Sequence, residues 1–248
     1  MRYFIQLSYK GTNYCGWQIQ PNAPSVQKEI NKCLSVLLGK EINSVGAGRT
    51  DTGVHAKEMF AHFDTDKEIE QESVMHRLNK FLPKDIVIHR LYQVNNDAHA
   101  RFDAIHRTYE YIISKGKNAF LQDSSWLCYA PLDIALMNKA SKMMFDYDDF
   151  SSFAKIHTDV KTHICKLMVA EWTEDETTYK FTVRADRFLR NMVRAMVGTL
   201  VDIGKGKMSP EEIKKILEQM DRGVASASAP AEGLFLIEVA YPNTIMHV

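Results

Sequence analysis

The sequence has no excess of either charge. Lys and Arg total 31 and Asp and Glu total 31 among 248 residues, so net charge gives no sign of a polyanionic partner. Cysteine is sparse, and Cys15, Cys33, Cys128 and Cys165 stand far apart with no C-x-x-C pair. That spacing supports neither a disulfide framework nor a zinc site, and points to reduced thiols in a cytoplasm. No apolar run approaches the ~20 residues of a membrane span, and "MRYFIQLSYKG" lacks the charged-then-apolar build of a signal peptide. The expectation is a cytoplasmic protein with no membrane partner. With 45% hydrophobic and 25% charged residues the chain is of ordinary globular type, long enough for one large domain or two compact ones.

What is present is periodic. "YFIQLSY" (3–9) reads as a strand, and Ser25 is placed to cap a helix over "VQKEINKCLSVLLG" ending at Gly39. "INSVGAG" and "EMFAHFDT" read as strands, "IEQESVMHRLNKFLP" as a helix stopped by Pro83, and "IVIHRLYQV" (86–94) as a strand. The order βαββαβ is that of a split ferredoxin-like unit. The second half repeats it: strand "HRTYEYIIS", helix "DIALMNKASKMMF", hairpin "CKLMVAEWT"/"TYKFTVRA", helix "FLRNMVRAMVGTLVDIG" and strand "GLFLIEVAY" (233–241). Between the last two, Ser209-Pro210-Glu211-Glu212 starts a further helix, with Ser as cap and Glu at the third position. The expected fold is α+β, with two ferredoxin-like (RRM-like) halves, 1–100 and 101–248, divided near "NNDAHARF". They would share an extended antiparallel sheet with helices on one face, leaving the other face open, as suits nucleic acid.

Charge is segregated although it balances. From Thr182 to Met208 there are six basic residues, Arg184, Arg187, Arg190, Arg194, Lys205 and Lys207, against Asp186 and Asp202. Acid collects in "FDYDDF" and "EWTEDE". Such segregation suits a basic face for phosphates, and equally a solvated surface.

The stretch "VGAGRTDTGVHA" (45–56) sets a carboxylate, Asp51, in a glycine-rich loop. Asp51-Thr52-Gly53 alone suggests an aspartic protease, which needs two such carboxylates and an all-β fold. Here D-T-G occurs once, so that reading requires a symmetric dimer, and the chain carries several helical patterns. "GAG" lacks the G-x-G-x-x-G spacing, and no G-K-[ST] follows, so the glycines do not make a phosphate loop. His55 and His62 lie across a strand from Asp51, while His157, His163 and Cys165 lack metal-ligand spacing. On a helical wheel Leu189, Met192, Val193, Met196, Leu200 and Ile203 form an apolar face, with Val197 and Val201 opposite. Arg194 on that helix should therefore be buried and need an anionic partner.

The whole frame resembles a known family. "GAGRTDTGVHA" is similar to the G-R-T-D-x-G-V-H-A nucleophile motif of the TruA family of tRNA pseudouridine synthases. "HARFDAIHRTYEYII", "RFLRNMVRAMVGTLVDIGKGK", "APAEGLFLIEVAYP" and "YKGTNYCGWQIQPNAPSVQKEI" resemble its other motifs, in the family's order. The resemblance implies an isomerase converting uridine to pseudouridine at positions 38, 39 and 40 of the tRNA anticodon stem-loop, without cofactor or metal. It implies Asp51 as the covalent nucleophile, and Tyr109, Arg194 and Arg49 as substrate-binding residues. Arg49 would hold the space of the flipped uridine, Tyr109 would stack on it, and Asp51 would be the partner of Arg194. A homodimer with one tRNA contacting both subunits is implied as well. The alternative from another class is a catalytically inactive RNA-binding protein of the same fold. Such a relative would lack Asp51, Tyr109 or Arg194, and this chain has all three.

Overall fold

The computed structural model describes residues 1–156 and 160–246; His157, weighed above as a ligand, lies outside the described residues. The chain forms two compact units, Met1–His106 with Leu236–Val248, and Arg107–Phe235. A cut at residue 100 would place the last strand wholly with the second half, but most of that strand returns to the first unit.

The first unit contains β1 (Arg2–Tyr9), α1 (Val26–Leu38), β2 (Val45–Gly46), β3 (His55–Asp64), α2 (Gln71–Phe81) and β4 (Ile86–Val94). This is the βαββαβ order expected. β1 is antiparallel to β3 on one side and to β4 on the other. As a central strand it buries Tyr3, Ile5 and Leu7 on one face. The opposite face is not bare, because Phe4 meets His62 and Tyr241, and Tyr241 also meets Phe60 edge-on. Beside Phe4 that face turns polar, where the Gln6 amide donates to Glu58 and the Tyr92 hydroxyl donates to Gln6. The expectation of an open sheet face therefore fails at the Phe4 end of this unit.

Local chemistry sets the helix ends. Gly39 closes α1 with φ +71°, where a side chain would be strained. Ser25 sits at the N-cap position but makes no capping bond, and its buried hydroxyl has no partner among the described residues. In α2 the cap is Glu70, whose carboxylate accepts from the backbone of Glu72 and Ser73. Leu82, extended ahead of Pro83, ends that helix.

The second unit contains β5 (His106–Ser114, from Arg107 on), β6 (Trp126–Leu127), α3 (Ile134–Met143), β7 (Leu167–Glu174), β8 (Thr178–Ala185), α4 (Met192–Gly204) and α5 (Glu212–Gln219). β8 lies antiparallel between β5 and β7, while β6 adds to β5 in parallel. Its core is Tyr111, Ile113, Phe181 and Val183, with Trp172 stacked on Phe181 at 4.9 Å. At α5 the Glu212 carboxylate accepts the Ser209 N–H at 2.6 Å, one half of the expected capping box. β9 (Leu234–Ala240) begins in this unit and ends in the first, where α6 (Asn243–Met246) follows. Among the described residues no helix is long and apolar enough to cross a membrane.

Candidate functional site

Asp51 lies in the loop between β2 and β3, half-buried, between exposed Arg49 and exposed Thr52, with buried Thr50 before it. The loop is clamped by the segment after β1. The Tyr9 and Thr50 hydroxyls share a buried hydrogen bond at 2.8 Å. Trp17 N–H donates to the Thr50 carbonyl, and Gly53 N–H to the Tyr14 carbonyl. The Tyr14 hydroxyl is in turn anchored at 2.6 Å on Asp85, which also accepts from Asn13. Burial, then the bond to Asp85, pushes the Tyr14 phenol well above its ordinary pKa, so it stays a neutral donor.

Two glycines make this approach possible. A Cβ on Gly16, which has φ +89°, would lie 2.3 Å from the Thr50 carbonyl oxygen, and one on Gly11 would lie 2.0 Å from that of Val54. Within the loop itself, Gly53 has φ +80° and closes the turn in which Val54 N–H bonds the Asp51 carbonyl. His55 is buried, and its Nδ1 accepts the Gly11 N–H at 2.9 Å, which ties β3 to the segment after β1. Sequence reasoning missed Tyr9, Gly11, Tyr14, Gly16 and Trp17 as the support of this loop. Their signal was the two glycines interleaved with aromatics in "YKGTNYCGW".

In the second unit β5 carries two tyrosines with different fates. Tyr111 is fully buried and its hydroxyl donates to the Pro230 carbonyl at 2.8 Å. Burial raises its pKa far above the ordinary phenol value. Tyr109 is half-buried, with Phe188 edge-on at 5.1 Å. Of the two rings, Tyr109 alone retains surface for a ligand.

α4 is buried nearly all round, as expected from its apolar pattern. Two expectations about it need correction. The helix starts at Met192 and not at Phe188, because Asn191 takes the left-handed conformation (φ +67°) and its amide donates to the Ser228 hydroxyl. Arg194 is half-buried, not buried, since it leaves the helix on the side facing residues 225–230. That segment holds it twice: Arg194 Nε donates to the Ala229 carbonyl at 2.7 Å, and Ala229 N–H donates to the Arg194 carbonyl at 2.9 Å. The segment crosses α4 at Gly198, where a Cβ would lie 1.9 Å from the Ala227 carbonyl oxygen. This support of Arg194 was also missed; a glycine within an apolar helix and the small-residue run "ASASAPAEG" were its traces.

The six basic residues of 182–208 do not form one continuous face. Arg187, Phe188 and Arg190 project from the loop before α4, with Arg190 exposed. Lys205 and Lys207 lie past its far end, roughly 20 Å away at about 1.5 Å per helical residue. There Lys205 covers the Trp126 ring and Lys207 pairs with Asp202. Arg184 donates to Thr108. A surface hollow of about 430 Å³ in this unit is lined by Ser151, Lys155, His163, Met220 and Arg222, and by none of the expected site residues.

Residues 6–103 and 146–242 match the family described as tRNA pseudouridine synthase. The chain belongs to the tRNA pseudouridine synthase family. It is 52% identical to tRNA pseudouridine synthase A of Bacteroides thetaiotaomicron, over 98% of this chain and 92% of that protein. The enzyme of the same name from Bacteroides fragilis is 52% identical over 98% of both chains. That of Exiguobacterium sibiricum is 36% identical, again over 98% of both. The spans matched to the pseudouridine synthase family contain Arg49, Asp51 and Arg194, while Tyr109 lies between them. Membership removes the protease reading of D-T-G, and it agrees with the mixed α/β architecture, which is not the all-β fold that reading requires.

Proposed function

We propose that this chain is a tRNA pseudouridine synthase acting on uridines 38, 39 and 40 of the anticodon stem-loop, with Asp51 as covalent nucleophile. The observation that carries the reading is the clamped Asp51 loop: a half-buried carboxylate in the family's frame, fixed by Thr50 and Gly53 on either side. A carboxylate held at fixed geometry suits nucleophilic catalysis, which needs position more than basicity.

In this reading the target uridine is flipped out of the stack, at a cost of a few kcal/mol. Arg49, exposed two residues before Asp51, takes its place against base and phosphate. The Asp51 carboxylate bonds to the nucleotide and the N1–C1′ bond breaks. The uracil turns, C5 bonds to C1′, the C5 proton leaves, N1 takes up a proton, and the carboxylate is released. Atoms and charge balance without oxidant or metal. Tyr109 stacks on the uracil and Arg194, oriented by Ala229, holds the substrate. Each unit is read as a ferredoxin-like half, supported by the element order, with RNA on the sheet side away from the helices. Modifying three neighbouring positions implies recognition by shape and backbone. By the same resemblance the working form is a cytoplasmic homodimer with one tRNA contacting both subunits.

The test is to incubate purified protein with an unmodified tRNA transcript and map pseudouridine along it. Formation at 38–40 and nowhere else is expected. Pseudouridine confined to another arm of the tRNA would overturn the assignment of the stem-loop.

A further inference from the structure

The turn after β4 holds an aromatic ring in solvent with more internal bonding than a surface turn requires. Phe102, in His99-Ala100-Arg101-Phe102-Asp103, is 73% exposed. All five backbone N–H groups of this turn are bonded. His99 N–H donates to the Asp103 carboxylate at 2.6 Å, and Asp103 N–H donates back to the His99 carbonyl. The N–H groups of Arg101 and Phe102 both donate to His99 Nδ1, at 3.1 and 3.3 Å. Ala100 N–H donates to Nδ1 of buried His62 at 3.1 Å, and its carbonyl accepts the Tyr241 hydroxyl. The His99 ring bridges the two levels, 4.7 Å from the His62 ring and 4.3 Å from that of Phe102.

A turn bonded this completely is ordered before any ligand arrives, so a contact made by its tip loses little conformational entropy. At that tip the Arg101 guanidinium lies 5.5 Å from the Phe102 ring centroid. A fixed, exposed ring beside a guanidinium is the chemistry that takes an unpaired nucleotide, the base stacking on the ring and the phosphate meeting the cation.

We propose that Phe102 and Arg101 form a second RNA contact, a stacking site for an unpaired nucleotide other than the one that reacts. This rests on the reading of the chain as a tRNA-modifying enzyme. The separation follows from β3, which begins at His55 beside the Asp51 loop and reaches His62 beneath the turn. That is roughly 23 Å of extended strand at about 3.3 Å per residue. The ring therefore acts on binding and placement of the tRNA and not on bond making.

The experiment measures tRNA affinity, and single-turnover pseudouridine formation at saturating tRNA, for wild type, Phe102→Leu and Phe102→Tyr. Leucine keeps apolar bulk against His99 but has no π face; tyrosine restores one. Phe102→Leu should lose roughly five- to a hundredfold in affinity, the range for base–aromatic stacking, and Phe102→Tyr should recover it. The saturated rate should stay within about twofold of wild type in both. Wild-type affinity in Phe102→Leu would overturn the proposal, as would failure of tyrosine to restore binding. A changed sedimentation coefficient with unchanged RNA affinity would also overturn it, marking the tip as a contact between copies. If wild type formed no pseudouridine while Phe102→Leu still lost RNA affinity that tyrosine restored, the enzymatic reading would fall and the stacking site would stand.

Discussion

Acid should destabilise the first unit through His62 before it reaches the carboxylates. The ring is 4% exposed, and its Nδ1 accepts the Ala100 N–H, which requires an unprotonated nitrogen. Burial first, then the nearby Arg2 and His99 charges, lower its pKa from 6.5 to about 4, with Asp64 and Asp103 opposing. Between those values the unfolded chain binds more protons than the folded one. Stability is thus complete above about pH 6.5 and falls as pH drops, by up to about 1.4 kcal/mol per pH unit, until about pH 4. From pH 7 to pH 5 the loss from this one ring is about 2 kcal/mol. His99, also lowered by burial, adds in the same direction. Asp64, whose carboxyl is held low by Arg2, contributes only at lower pH. His62→Gln keeps an acceptor for Ala100 and does not titrate. Urea unfolding followed by circular dichroism at pH 7, 6 and 5 should show wild type losing about 2 kcal/mol more than the variant. Parallel losses, whatever the offset between the two proteins, would show that His62 does not carry the acid sensitivity.

The other expectations concern the site. Gly16→Ala combines a left-handed backbone with a Cβ 2.3 Å from the Thr50 carbonyl; it should cost more than about 2 kcal/mol of stability and abolish turnover, measured by unfolding and pseudouridine formation on the same preparation. Tyr111→Phe should lose about 1 kcal/mol of stability, from its bond to Pro230, and keep its activity, whereas Tyr109→Ala should keep stability and lose activity. The reverse pattern would exchange their roles. Affinity for tRNA should fall with salt along a negative log–log slope, and Arg187→Ala and Arg190→Ala should each make it shallower by about 0.7–0.9. Lys207→Ala, removing a cation already paired with Asp202, should change the slope less.

Several strands with a clear period were legible to the residue, while most helix ends shifted by one or two. "IVIHRLYQV" is β4, and "TYKFTVRA" is β8. Errors arose where a distant residue decides a local conformation. Nothing near Asn191 shows that Ser228 will hold its side chain and delay α4. Nothing near Val45 shows that Gly46 will be pressed on Trp17, or that β2 will be only two residues long. The same reason hid the support of the site. Asp51 stood out from its own loop, but Tyr9, Tyr14 and Gly16 reach that loop from some forty residues away, and Ala229 reaches Arg194 from a segment with no period at all. Wheel geometry gave the apolar surround of α4 and overstated the burial of Arg194, because a long side chain can leave a buried helix at its first turn.

If the Asp51 carboxylate is the nucleophile, Asp51→Asn should fold and bind but not turn over. The amide keeps the size of the side chain, and the loop is clamped through Thr50 and Gly53, so folding and tRNA affinity should match wild type. With tRNA carrying tritium at C5 of uridine, wild type should release tritium as C5 bonds to the ribose, and the variant should release none above background. Turnover above about one hundredth of wild type, a barrier increase below about 2.7 kcal/mol, would contradict the assignment.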